Sequence, residues 1–180
     1  MEPFKAFSKY TMEGLDLVIE YYPIEQLSPE LFQWAFELTK RNMQELYEQT
    51  WGWKDSAKRS EMKDPEALYF VALERETRKP VGFAHFRYLL EEDKKAEVLY
   101  LFEIQVEPEY QSKGVGKFLM MILELVGSKN EMKFILMTVF QINKRALNFY
   151  MKKLNYVIDE TSPTVLEEHH YVLSKPLRSW

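Results

Sequence analysis

Residues 97–117 limit what this chain can fold into more than any other stretch. Positions 97–106 read Glu-Val-Leu-Tyr-Leu-Phe-Glu-Ile-Gln-Val, a run of β-branched, aromatic and aliphatic side chains that predicts a strand. Apolar residues occupy both parities, so the strand is expected in the middle of a sheet with both faces covered. Glu103 sits inside that run, where a carboxylate is costly unless it is paired, solvated or used. Pro108 blocks further pairing. Gly114 and Gly116 then let backbone come close to a ligand. An amphipathic helix follows over 115–125, with Phe118, Leu119, Ile122 and Leu125 near one face. A glycine turn feeding a helix N-terminus offers free N–H groups and the positive end of a dipole, a setting for phosphate. Gly-x-Gly alone marks little more than a turn. The order strand, inward Glu, Gln111-x-x-Gly114-x-Gly116, helix is far more specific.

The remaining periodicities build a sheet around that strand. A short strand is expected over 15–21, between Gly14 and Pro23. Ser28-Pro29-Glu30 reads as N-cap, first-turn proline and early acid of a helix that runs to about Gln49. Tyr47, Trp51 and Trp53 then crowd around Gly52, either as a core plug beneath a loop or as a lid over a groove. Residues 55–63 read as a charged surface helix, 68–73 and 81–88 as strands of a hairpin, and 91–95 as a solvated charged loop. A second apolar strand covers 134–140, a helix 144–154, and strand-like runs follow at 156–159 and 170–173. This order, β-α-α-β-β-β-α-β-α-β-β, is α/β (α+β): a mixed central sheet flanked by helices.

Asn143-x-x-Ala146-x-x-Phe149-Tyr150, followed by Leu154-Asn155-Tyr156, completes a second motif. Together with the glycine loop it resembles the two acetyl-CoA segments of the GNAT N-acetyltransferase superfamily. The resemblance implies a GNAT fold and acetyl-CoA as cosubstrate. It implies a cofactor site at Ile104, Gln105, Val106, Gln111, Ser112, Lys113, Gly114, Val115, Gly116, Lys117, Asn143 and Tyr150. Asn155 stands where the family usually has glycine; Asn tolerates the left-handed conformation that ends a helix. Phe149 reads as core packing. For Tyr150, the family implies proton donation to the leaving thiolate; a hydrogen-bonded core tyrosine is the alternative.

Further blocks, among them residues 34–40, Tyr47-Glu48-Gln49, Trp51-Gly52-Trp53-Lys54, Glu97-Val98-Leu99-Tyr100 and Thr138-Val139-Phe140, are similar to the NatD branch of that superfamily. Its members acetylate the N-terminal Ser of histones that begin Ser-Gly-Arg-Gly. The resemblance implies a histone N-terminal peptide as partner, in a groove of Tyr47, Trp51, Tyr100, Glu103, Thr138 and Tyr171, with Glu103 as general base, directly or through water. Acidic and aromatic groups suit the Arg at the third peptide position, and Glu91 is one candidate. Phe102 replaces an expected second strand tyrosine, residues 89–92 differ in length from relatives, and the long basic leader of relatives does not precede the domain. Without the family, Glu103 reads more readily as a carboxylate tying down a neighbouring strand than as a base.

The chemistry fits an α-amine. With an ordinary pKa of about 8, roughly one such amine in six to ten is free at pH 7, against roughly one lysine in a few thousand. The difference spares the enzyme about 3 kcal/mol of base assistance. One carboxylate of raised pKa in an apolar strand then suffices, and positioning supplies up to about 7–11 kcal/mol more. Alternatives are a GNAT enzyme for lysine side chains or small amines, and a non-catalytic acyl-CoA or peptide module.

Composition removes other classes. With 180 residues, 46% of them hydrophobic and 15% aromatic, one packed domain over 1–180 is expected. A net charge of −4 argues against direct nucleic-acid binding. The absence of cysteine excludes disulfides, thiolate metal sites and a cysteine nucleophile. His85, His169 and His170 lack metal-ligand spacing and read as packing or surface residues, so no metal is expected. No apolar run reaches membrane-spanning length, and residues 1–5 do not read as a signal peptide. A soluble monomer, cytoplasmic and nuclear, is the expectation.

Overall fold

In a computed structural model, residues 9–12, 14–164 and 168–178 are described; the start at 1–5 lies outside them. The strands are β1 (Lys9–Met12), β2 (Leu15–Pro23), β3 (Leu68–Glu74), β4 (Pro80–Glu91), β5 (Ala96–Val106), β6 (Phe134–Phe140), β7 (Val157–Ile158) and β8 (His170–Pro176). The helices are α1 (Pro29–Glu48), α2 (Asp55–Met62), α3 (Val115–Lys129) and α4 (Lys144–Leu147), the last continuing in a wider π turn over Asn148–Lys153. The eight strands form one mixed sheet in the order β1-β2-β3-β4-β5-β6-β8-β7. The element order is the expected one with an extra first strand. β1 was missed because four residues give too little periodicity to read. β5 is central, as its two-sided apolar pattern requires.

The chain divides into two compact units. The first comprises residues 1–42, 54–86 and 103–122. Here β2 pairs with β1 and β3, and β3 with β4, all antiparallel. Ser28 accepts the Leu31 N–H at 3.2 Å, so the predicted cap starts α1. α1 buries Phe32, Ala35, Phe36, Leu38 and Thr39 at helical spacing. Each fully buried large apolar side chain of this kind contributes about 1.5–3 kcal/mol. The Thr39 hydroxyl is satisfied by the Ala35 carbonyl one turn back, at 2.9 Å.

The second unit comprises residues 43–53, 87–102 and 123–180. β6 pairs parallel with β5 over Val98–Leu101 and Phe134–Met137, and antiparallel with β8 from Phe134 to Phe140. β5 runs on for five residues past Leu101, the last position paired with β6. α3 lies close over this sheet at Gly127, where a Cβ would press on Leu177 and Leu99. At the end of the π turn, Asn155 adopts φ 60°, the left-handed conformation expected of it.

Candidate active site

The glycine loop is built from both ends. Tyr110 donates its hydroxyl to Glu74, fixing the residue before the loop. Gln111 donates its side-chain amide to the Val106 carbonyl at 2.9 Å, tying the loop to the end of β5. Tyr10 on β1 donates its hydroxyl to the Lys113 carbonyl at 2.6 Å and packs its ring on Phe118 at 4.9 Å. Gly114 has φ 84°, and a Cβ there would collide with that tyrosine hydroxyl. The space kept open by Gly114 is thus filled by Tyr10 rather than held for a ligand. Ser112, Lys113, Gly114 and Lys117 are exposed, Val115 is buried, and no acid lies in the first turn of α3. N–H groups in a first turn have no intrahelical acceptor. First-turn N–H groups, two exposed lysines and no carboxylate suit a diphosphate.

Glu103 lies in the same unit, 5% exposed, and its surroundings differ from the apolar strand expected for it. Its carboxylate accepts from the Lys58 ammonium at 2.8 Å and from the Gln105 amide at 2.9 Å. Gln105 in turn accepts from Asn42 of α1 at 3.1 Å, and Lys58 also donates to Glu61 at 2.7 Å. A chain of polar contacts therefore runs Asn42–Gln105–Glu103–Lys58–Glu61 across α1, β5 and α2. The surface reading of residues 55–63 fails at Lys58 and Met62, both buried, because Lys58 turns inward to meet the acid on β5. Ile104 and Val106 take the other parity of β5 and are half-buried.

In the second unit, Trp51 is 51% exposed, so it is no core plug. Its ring meets Phe140 at 4.8 Å, His170 at 5.0 Å and Tyr47 at 6.2 Å, each edge-on, and its N–H reaches the Glu168 carbonyl at 3.3 Å. Tyr47 also stands edge-on to Trp53 and Phe140. Tyr100 and Thr138 share a hydrogen bond between adjacent strands. Phe102, the missing tyrosine, packs on Tyr100 and beneath the Arg87 guanidinium. Tyr171 pairs opposite Val139. Asn143 caps α4, its side chain accepting from Ala146 N–H at 3.1 Å. Tyr150 is buried against Phe149 and Tyr156. Burial and the neighbouring Glu124 carboxylate push the Tyr156 phenol far above its ordinary range.

Lys94 corrects the reading of 91–95 as a solvated loop. Its ammonium is buried against Asp159 at 3.1 Å and reaches Glu160 at 2.8 Å. Burial opposes the charge on Asp159, but hydrogen bonds from Ser174, Thr161 and Lys94 outweigh it and hold the carboxyl down at about 2.

A model of the acetyltransferase (GNAT) family matches residues 28–156. The chain belongs to this family. Solved structures agree in fold. The NatC complex bound to Gag peptide and CoA matches at 17% identity and TM-score 0.65, covering 89% of this chain and 99% of that one. The ribosomal-protein-S18-alanine N-acetyltransferase of Escherichia coli matches at 18% identity and TM-score 0.63, covering 91% and 95%. The PaiA N-acetyltransferase of Thermoplasma acidophilum in complex with coenzyme A matches at 21% and 0.61, covering 88% and 98%.

This GNAT protein is therefore an acetyl-CoA-dependent acetyltransferase with a mixed α/β sheet. The cosubstrate supplies the acetyl group as a thioester. Lys113, Lys117 and the loop backbone fit its diphosphate by exposure and charge. Among the described residues, no group of three or more His, Asp or Glu is arranged to hold a metal. Sequence reasoning did not find Tyr10, Lys58 or His170. Tyr10 and Lys58 are single residues in short elements, and nothing in their spacing marks what they touch.

Proposed function

We propose that residues 1–180 form a single N-terminal acetyltransferase domain of the NatD type, acting on the α-amine of histone chains that begin Ser-Gly-Arg-Gly. The observation that carries this reading is Trp51, a half-exposed indole amid Tyr47, Phe140 and His170. Such a face suits an extended chain end with an arginine, since a guanidinium gains from aromatic faces. Tyr47, Trp51, Tyr100, Thr138 and Tyr171 orient the peptide, with Glu91 a candidate for the arginine. Glu103 accepts the proton of the amine, directly or through water. Lone pairs beyond those used by Lys58 and Gln105 are available on its two oxygens. Tyr150 gives a proton to the departing sulfur. The loop at 111–117, with Ile104, Gln105, Val106 and Asn143, holds the cosubstrate. A monomer working in cytoplasm and nucleus completes the proposal.

Three acceptors test it: a Ser-Gly-Arg-Gly peptide, the same peptide with an acetylated N-terminus, and a free polyamine. Each is supplied with acetyl-CoA and followed by mass spectrometry. The free peptide is expected to be modified at its α-amine and the blocked one to be inert. Equal rates on a lysine of the blocked peptide, or on the polyamine, would remove the α-amine reading.

A further inference from the structure

Lys58 stands between two carboxylates. Its ammonium is 2.8 Å from Glu103 and 2.7 Å from Glu61, and its side chain is 6% exposed. Glu61 lies one turn further along α2 with a side chain 36% exposed, so it connects the buried pair to the solvent side. A buried Lys–Glu pair alone resists protonation, because the carboxylate would be neutralised beside an ammonium left without its counter-charge. The third group changes the balance. Two carboxylates and one ammonium carry a net charge of minus one (−1 + 1 − 1), and one added proton brings that to zero.

Building on the reading of Glu103 as the base, we propose that Lys58 and Glu61 are positioning residues that let Glu103 change charge during turnover. In the step concerned, an N–H bond of the acceptor amine breaks and an O–H bond forms on the Glu103 carboxylate. Lys58 stays an ammonium throughout. It fixes the carboxylate before transfer and leans on Glu61 afterwards, so that no unpaired charge is left buried. Gln105, itself held by Asn42, keeps the other Glu103 oxygen in place. The Glu103 proton is then lost to water.

The test compares Glu61→Gln, Lys58→Met, Lys58→Arg and Glu103→Gln, with Glu61→Gln also made in the Glu103→Gln background. Thermal melts accompany steady-state kinetics on the Ser-Gly-Arg-Gly peptide with acetyl-CoA. Glu61→Gln is expected to keep the parent melt and the KM for acetyl-CoA, and to lose roughly tenfold in kcat, the size of one neighbouring charge. Lys58→Met is expected to lose more, with Lys58→Arg recovering part. In the Glu103→Gln background, Glu61→Gln is expected to change nothing further. Because Glu61 is half-exposed, its variant folds even if Lys58→Met does not. A kcat for Glu61→Gln within twofold of the parent, with Glu103→Gln impaired, overturns the proposal and leaves the base assignment standing. An unimpaired Glu103→Gln overturns both.

Discussion

Lys58–Glu103 and Lys94–Asp159 are both ion pairs shut away from water, and both lysines also reach a second, outer carboxylate. They differ in what else grips the inner acid. Asp159 takes hydrogen bonds from the Thr161 backbone and hydroxyl, from Ser174 and from Lys94, and is held down at about 2. Among the described residues, Glu103 takes two, from Lys58 and Gln105. A carboxylate saturated with donors stays charged and fixes a turn to a strand. On the proposed reading, one with lone pairs to spare accepts the proton of the amine. The ion pair is the same in kind; on that reading the neighbouring hydroxyls and N–H groups decide whether it serves as a rivet or as a site.

The largest effect that would break this contrast is at Glu103. Glu103→Gln keeps the shape and the bond to Gln105, and is expected to lower kcat by about 10²–10⁴, the range for removing a general base. Coenzyme A affinity, read by calorimetry, is expected to hold. Unchanged turnover would make Glu103 a second rivet. At Asp159 the expectation is reversed: Asp159→Asn leaves kcat alone and costs stability. The carboxyl falls from an ordinary 3.8 to about 2 on folding. A depressed carboxylate stabilises the fold above its unfolded pKa, and the contribution is lost as pH falls through the folded one. It is worth on the order of 2 kcal/mol at pH 7, more if Lys94 is left short of a partner. Denaturant melts of parent and variant are therefore expected to differ at pH 7 and converge between about pH 4 and 2. A gap independent of pH would mean that Asp159 acts through packing alone.

How far the sequence revealed each region follows from the same physics. β6 was legible to the residue because six apolar side chains and one β-branched threonine fill its seven positions, a short run typical of a buried strand. The cap at Ser28 and the left-handed Asn155 were legible because their chemistry is local. Glu103 announced itself by its cost, a charge in an apolar strand. What answers that cost did not, because Lys58 lies 45 positions away in a segment whose composition reads as surface. Lys94 was misread for the same reason: its partner Asp159 is 65 positions distant. Periodicity reports which face a residue takes, but not which distant charge it meets. The loop at 111–117 was found by motif, while Tyr10, which props it from 103 positions away, was not. The aromatic face around Trp51 was half-legible. Its residues were named, yet exposure depends on what β8 brings opposite, and His170 carries no mark of it.

The smallest effect sharpens the contrast most, since it removes one grip and leaves the pair intact. Ser174 is buried on β8, and its hydroxyl is the leading influence holding the Asp159 carboxyl down. Ser174→Ala is expected to cost about 1.5 kcal/mol at pH 7, the low end of the usual worth of a hydrogen bond to a charged group. With that donor gone, the folded pKa of Asp159 moves up from about 2 toward 3.8, which shrinks the stability the charge contributes above pH 4. Once both proteins carry a protonated Asp159, the hydroxyl no longer favours one charge state. The stability gap between Ser174→Ala and parent should therefore narrow as pH falls toward 2. NMR titration of the Asp159 carboxyl checks the same point directly: an upward move in the variant supports a rivet made by its donors. An unmoved titration would place the grip in Thr161 and Lys94, and the two ion pairs would then differ less in construction than their surroundings imply.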